Sequence, residues 1–145
     1  MKVIAIIASG TGGHVYPAYT MALEYIKKGY SILWIGTKSG LENRVIDNES
    51  ITIEHVSSQG IRGKNFLKKI IALIYFVKSI FQCFIILRKH KPGLVLGFGG
   101  YVSVGASISS YMLSIPVITH EQNAVAGTAN KINYYFSKKI YETFP

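Results

Sequence analysis

The feature that most constrains this chain is an alternation of two kinds of apolar block along its whole length. Short, β-branched runs occupy residues 3–8, 31–35, 52–56, 94–96, 116–119 and 139–141. Longer segments of helical character lie between them, at residues 17–28, 41–47, 66–89, 102–113 and 127–136. Strands alternating with helices build βαβ units, a mostly parallel sheet and helices on both of its faces. A sheet covered on both sides needs strands that are apolar throughout, as these runs are. The pattern therefore predicts an α/β domain with a doubly wound parallel sheet. The 145 residues suffice for one domain with a sizeable core. A hydrophobic content of 49% and a mean hydropathy of +0.28 argue against disorder.

Two of the strand-to-helix junctions are rich in glycine. The first is Ser9-Gly10-Thr11-Gly12-Gly13-His14-Val15-Tyr16-Pro17, and the second is Gly97-Phe98-Gly99-Gly100-Tyr101-Val102-Ser103. Glycine lets the chain turn with positive φ and lets a ligand approach the backbone. The helix that follows offers free N–H groups and the positive end of its dipole, which together favour a phosphate. Pro17 is expected in the first helical turn, where its missing N–H costs nothing. The first loop is not the dinucleotide fingerprint, because Val15 stands where the third glycine belongs, and no Gly-Lys-Ser/Thr ending marks a P-loop. Two such turns at the carboxyl ends of parallel strands point to a phosphate-holding crevice. His120-Glu121-Gln122-Asn123 follows the run at 116–119 and falls on the same side of the sheet. Its polar residues read equally as ligand contacts or as a capping loop, with Asn123 as a helix cap.

The charge is uneven. The net charge is +9, and no Asp or Glu occurs between Glu54 and Glu121, a stretch that holds Arg62, Lys64, Lys68, Lys69, Lys78, Arg88, Lys89 and Lys91. Such a region suits an anionic membrane, a phosphorylated ligand or nucleic acid, or is simply a solvated basic face. Nucleic acid fits least, since the basic residues lie along an apolar helix and not in a groove interleaved with stacking aromatics. The segment 66–89 is long enough to suggest a membrane span, but Lys78 and Gln82 lie at its middle, and a central lysine costs about 2.5–3.5 kcal/mol. Lys64, Lys68, Lys78, Ser79, Gln82 and Lys89 are expected on one helical stripe, leaving a wide apolar face for lipid or for a protein partner. The lone cysteine, Cys83, excludes an intrachain disulfide and is expected to be a buried thiol. The run at 3–8 lacks the cleavage pattern of a secretory signal, which predicts a cytoplasmic protein. The chain stops just after a strand, at Phe144-Pro145, so a further portion is expected beyond it.

Taken together, these blocks resemble the MurG family of peptidoglycan N-acetylglucosaminyltransferases. The resemblance runs from Gly10-Thr11-Gly12-Gly13-His14 with Pro17, through Gly60-Ile61-Arg62-Gly63-Lys64 and Gly97 to Ser103. It continues with Ile115-Pro116-Val117, His120-Glu121-Gln122-Asn123, Ala126-Gly127 and Asn130-Lys131. Ser9 stands where the family often has glycine, and Val104-Gly105 where it commonly has Gly-Pro. The resemblance implies the Rossmann-like, acceptor-binding N-terminal half of a GT-B transferase, whose donor domain binds most of the UDP-sugar.

By that resemblance the complete enzyme would move N-acetylglucosamine from UDP-N-acetylglucosamine to the C4 hydroxyl of a lipid-linked muramoyl-pentapeptide, with inversion. No cofactor and no metal is expected. His14 would be the base or a contact to the acceptor diphosphate; its ordinary pKa of about 6.5 suits the first role. Glu121 would be the alternative base or an orienting carboxylate. Thr11, Gly12, Gly13, Gly99 and Gly100 would cradle the diphosphate, Tyr101 and Ser103 would line the acceptor pocket, and Asn123 would reach the donor sugar. A membrane patch would comprise Ile70, Ile74, Val77, Ile80 and Tyr111 with Lys64, Lys68 and Lys69, placing the protein on the inner face of the cell membrane. The rival reading is a non-catalytic acceptor-binding or membrane-recruiting subunit of a two-chain transferase.

Overall fold

A computed structural model describes residues 2–58 and 65–144. Its six strands are β1 (Val3–Ile7), β2 (Ser31–Gly36), β3 (Ile51–His55), β4 (Leu94–Gly97), β5 (Val117–Glu121) and β6 (Lys139–Glu142). The helices are α1 (Gly12–Lys27), α2 (Glu42–Val45), α3 (Phe66–His90), α4 (Tyr101–Met112) and α5 (Thr128–Asn133), and a 3₁₀ turn, Tyr134–Phe136, follows α5. All pairings are parallel, and the strand order is β3-β2-β1-β4-β5-β6. The connections leave β1 toward one edge and β4 toward the other. Right-handed crossovers then place their helices on opposite faces, and the order reverses between β1 and β4.

Each face has its own core. On one face Ala5, Ile7, Leu33, Ile35 and Val95 of the sheet meet Cys83, Ile86 and Leu87 of α3 and Val102 and Ala106 of α4. On the other, Ile4, Ile6, Ile32, Trp34 and Leu96 meet Val15, Ala18 and Ala22 of α1. Alternate residues of β1 thus enter different cores, which is why this strand is apolar at every position. Trp34 is fully buried, and its indole N–H donates to the Ala8 carbonyl at 3.0 Å, anchoring the end of β1 where the first glycine turn begins.

Three expectations change. α1 starts at Gly12, so His14 lies inside its first turn and Pro17 lies within the helix, beyond that turn. Proline there removes the N–H that would reach the Gly13 carbonyl. His120 and Glu121 belong to β5 itself, not to a loop after it. Ser79 does not join the polar stripe of α3: it is buried against α4, where a Cβ added at Gly105 would come within 3.0 Å of its Oγ. Gly105, with no side chain, lets the two helices approach this closely. Cys83 is buried, and loss of solvation pushes its thiol up to about 12.

Candidate functional site

The two glycine turns meet where the strand order reverses. α1 begins after Thr11 and α4 begins after Gly100, both at the carboxyl edge of the central strands. The Phe98 N–H donates to the Ile7 carbonyl at 2.9 Å, tying the second turn to the end of β1. Gly99 and Gly100 take φ of +114° and +83°, a region that side chains disfavour. Space forbids side chains there too. A Cβ on Gly99 would lie 2.8 Å from the His14 ring, and one on Gly100 would lie 2.9 Å from the Ser9 carbonyl oxygen. The pair of glycines thus brings the second turn against both the first turn and His14. Beside them is a cavity of about 160 Å³ lined by His14, Gly99, Gly100, Tyr101, Glu121 and Asn130.

Glu121 organises the wall of this cavity. It is 2% exposed, and its two oxygens accept four hydrogen bonds. Oε1 takes the Asn123 N–H at 2.9 Å and Asn123 Nδ2 at 2.8 Å, while Oε2 takes the Gly127 N–H at 3.1 Å and Asn130 Nδ2 at 2.9 Å. Burial pushes its pKa upward, but the four donors outweigh burial and hold it below the usual carboxylate value. His14 is half-buried. Loss of solvation lowers its pKa, against the opposing pull of the Glu121 charge and the Phe98 carbonyl. Gln122 reaches from the end of β5 to both His14 and Phe98: its Nε2 hydrogen-bonds His14 Nδ1 and donates to the Phe98 carbonyl at 2.9 Å.

The sequence matches the glycosyltransferase family 28 N-terminal domain over residues 4–142. The chain belongs to this family. A curated relative is the UDP-N-acetylglucosamine--N-acetylmuramyl-(pentapeptide) pyrophosphoryl-undecaprenol N-acetylglucosamine transferase of Pseudomonas fluorescens. It is 40% identical over 142 residues, which cover 98% of this chain and 40% of that protein. The crystal structure of Acinetobacter baumannii MurG matches with a TM-score of 0.89 and 36% identity, over all of this chain and 42% of that one. The UDP-GlcNAc 2-epimerase of Neisseria meningitidis shares the fold, with a TM-score of 0.70 at 16% identity over 98% of this chain and 40% of its own. This family 28 domain therefore spans about 40% of the length of the curated relative.

Within the family 28 domain, His14, Gly99, Gly100, Tyr101 and Glu121 come together at the cavity. Thr11 and Gly13 are exposed and Gly12 half-buried at the start of α1, and the Thr11 side chain makes no capping bond. Asn123 is exposed near the cavity rim and does not cap a helix, because α5 is capped by Gly127. Ser103 needs correction. It is fully buried, donating to the Gly100 carbonyl at 2.7 Å and accepting from Asn133 Nδ2 at 2.7 Å, so it holds the second turn from behind. Glu121 has no lone pair left for a substrate proton, which favours the orienting role over that of base. Sequence reasoning gave Gln122 only a share in a polar block read as ligand contacts or a capping loop, gave Asn130 only a place in a motif, and named Asn133 nowhere. Their polar side chains in a segment otherwise shaped for packing were the available signal.

Away from the cavity, α3 has two unlike faces. Ala72, Cys83, Ile86 and Leu87 are buried, while Phe66, Leu67, Ile70, Ile74, Val77, Phe81 and Ile85 are exposed. Tyr111 and Met112 at the end of α4 are exposed too. Ile80 is half-buried and Lys69 is exposed. Lys64, with the rest of the 60–64 block, and the side chain of Lys68 lie outside the described residues. Among the described residues one helix, Lys69–His90, is long and apolar enough to cross a membrane. Its buried face is nonetheless part of the sheet's own core.

Proposed function

We propose that this domain is the acceptor-binding half of an inverting GT-B glycosyltransferase. The complete enzyme would transfer N-acetylglucosamine from UDP-N-acetylglucosamine to a lipid-linked N-acetylmuramoyl-pentapeptide, with a second domain supplying most of the donor contacts. The observation that carries this reading is the convergence of two helix N-termini, α1 and α4, with the half-buried His14 between them at the switch point of the sheet. First-turn N–H groups of both helices, with the Thr11 hydroxyl, supply donors for a diphosphate without a metal ion. Tyr101 lines the acceptor side, and the exposed Asn123 amide is available to hydroxyls of the donor sugar. Glu121 keeps the rim in shape. The name borne by the Pseudomonas fluorescens relative supports the substrates chosen.

A titration followed at the histidine ring nitrogens tests the assignment to the acceptor side. Lipid-linked muramoyl-peptide in detergent micelles should shift the His14 signals saturably, whereas UDP-N-acetylglucosamine alone should leave them in place. The opposite pattern would transfer the domain to the donor side, and no response to either would remove the cavity from substrate binding.

The acceptor's lipid tail requires a membrane, and the exposed face of α3 suits the surface of one. Apolar residues that the fold leaves outside, flanked by basic ones, bind anionic bilayers through both burial and charge. Each lysine near such a surface contributes about 1 kcal/mol and loses it as salt rises. Replacing Lys64, Lys68 and Lys69 with glutamine should weaken sedimentation with anionic vesicles. Ile74→Ser, at a position 62% exposed, should weaken it with less dependence on salt. Vesicles that never bind, together with altered self-association in the same variants, would make the face a protein interface instead.

A further inference from the structure

Gln122 is not needed for any role assigned so far, yet its side chain touches His14. Its Nε2 makes two contacts, a hydrogen bond with His14 Nδ1 and a 2.9 Å bond to the Phe98 carbonyl. Its Oε1 lies 3.4 Å from Nδ1 of His120. A primary amide has two protons on its nitrogen and only lone pairs on its oxygen. The Phe98 carbonyl can only accept, so the amide must present its nitrogen there. The same nitrogen faces His14, so its second proton is directed at Nδ1. Nδ1 must then offer a lone pair, and in a neutral imidazole the ring proton resides on Nε2. Burial favours the neutral ring. The Gly99 backbone lies so close to the ring that an added Cβ would come within 2.9 Å of Nδ1 and 3.3 Å of Nε2, which restricts turning of the imidazole.

We propose that Gln122 is a positioning residue that fixes His14 as the Nε2–H tautomer. His14 then meets its ligand as a hydrogen-bond donor to an anionic oxygen, as a phosphate presents, and not as the group that removes a proton from the attacking hydroxyl. The identity of the ligand rests on the acceptor-binding reading above; the placement of the ring proton does not.

Protonation of the ring nitrogens is read directly by long-range proton–nitrogen correlation in the chain labelled at its four histidines. His14 should show a protonated Nε2 and a bare Nδ1 at neutral pH. Gln122→Ala should give a mixture of tautomers. Gln122→Glu should move the proton to Nδ1, since a carboxylate can only accept there. A protonated Nδ1 in the unaltered chain, or a pattern unchanged by both substitutions, would overturn the proposal. Retained signals from His55, His90 and His120 check that the variants fold, and the unaltered chain alone decides the tautomer if they do not.

Kinetics of the complete transferase then test this positioning. For a donor, Gln122→Ala should lower kcat about 10-fold, the scale of one hydrogen bond. If Gln122→Ala leaves kcat unchanged while His14→Ala lowers it, Gln122 does not position the ring and the proposal fails. Unchanged kinetics in His14→Ala would instead sink the functional reading while leaving the tautomer result standing.

Discussion

Glu121→Ala is expected to destabilise the domain by about 3 kcal/mol, seen as a lower urea midpoint with an unchanged slope. The carboxylate is 2% exposed and serves four donors, and hydrogen bonds to a charged group are each worth about 1.5–3 kcal/mol. The total falls well below four times that value. Asn123 and Gly127 are exposed enough to bond water after the change, and Asn130 Nδ2 also reaches the His120 carbonyl at 3.2 Å. Glu121→Gln should fall between, since its amide nitrogen would confront other donors on one side. The same network predicts a dependence on pH. The folded pKa of Glu121 lies below the ordinary 4.5, so its stabilisation is complete above that value. It declines as pH falls through the folded pKa, where the native state must take up the proton. Acid titration of stability should therefore be shallower in Glu121→Ala than in the unaltered domain. Equal profiles would show that the carboxylate does not hold the rim.

The order of elements was legible because each strand of a doubly covered sheet must be apolar throughout and each crossover helix must follow its strand. The glycine turns were legible for a related reason: Gly99 and Gly100 occupy backbone conformations that other residues avoid. Helix starts were less so. The turn rule placed Pro17 at the beginning of α1, whereas the helix begins at Gly12 because the Thr11 carbonyl already accepts from His14 and Val15. The partners of the polar residues were not legible. Ser103 reads as a pocket residue until Asn133, thirty positions later, is seen to bond its hydroxyl. Gln122 and His14 are separated by 108 positions, and only the reversal of strand order brings β5 near the first turn. Local pattern specifies which backbone groups need partners, but topology decides which side chains supply them.

That separation bears on His14→Ala in the complete transferase, where kcat should fall about 10²–10³-fold, the usual loss when one preorganised donor to a developing or bound anion is removed. The ring lies between the two helix N-termini and is held by Gln122. Removing it takes away a hydrogen bond and opens space beside Gly99, where the ring now packs. A fall confined to acceptor KM would make His14 a binding contact only; a fall in kcat and kcat/KM together places its contribution in the transition state. The pH profile separates the two chemistries that a histidine can bring. A base must be neutral, so its activity would decline as pH falls through a midpoint below 6.5, the direction in which burial shifts this ring. A donor keeps its Nε2–H whether the ring is neutral or charged, and kcat would hold level through the same range. His14→Gln extends the test, because an amide can donate a hydrogen bond but cannot take up a proton at neutral pH. Partial recovery in that variant, with a level acid limb in the unaltered enzyme, is the expected result. An acid limb that disappears with His14 and is not restored by glutamine would assign proton removal to the imidazole.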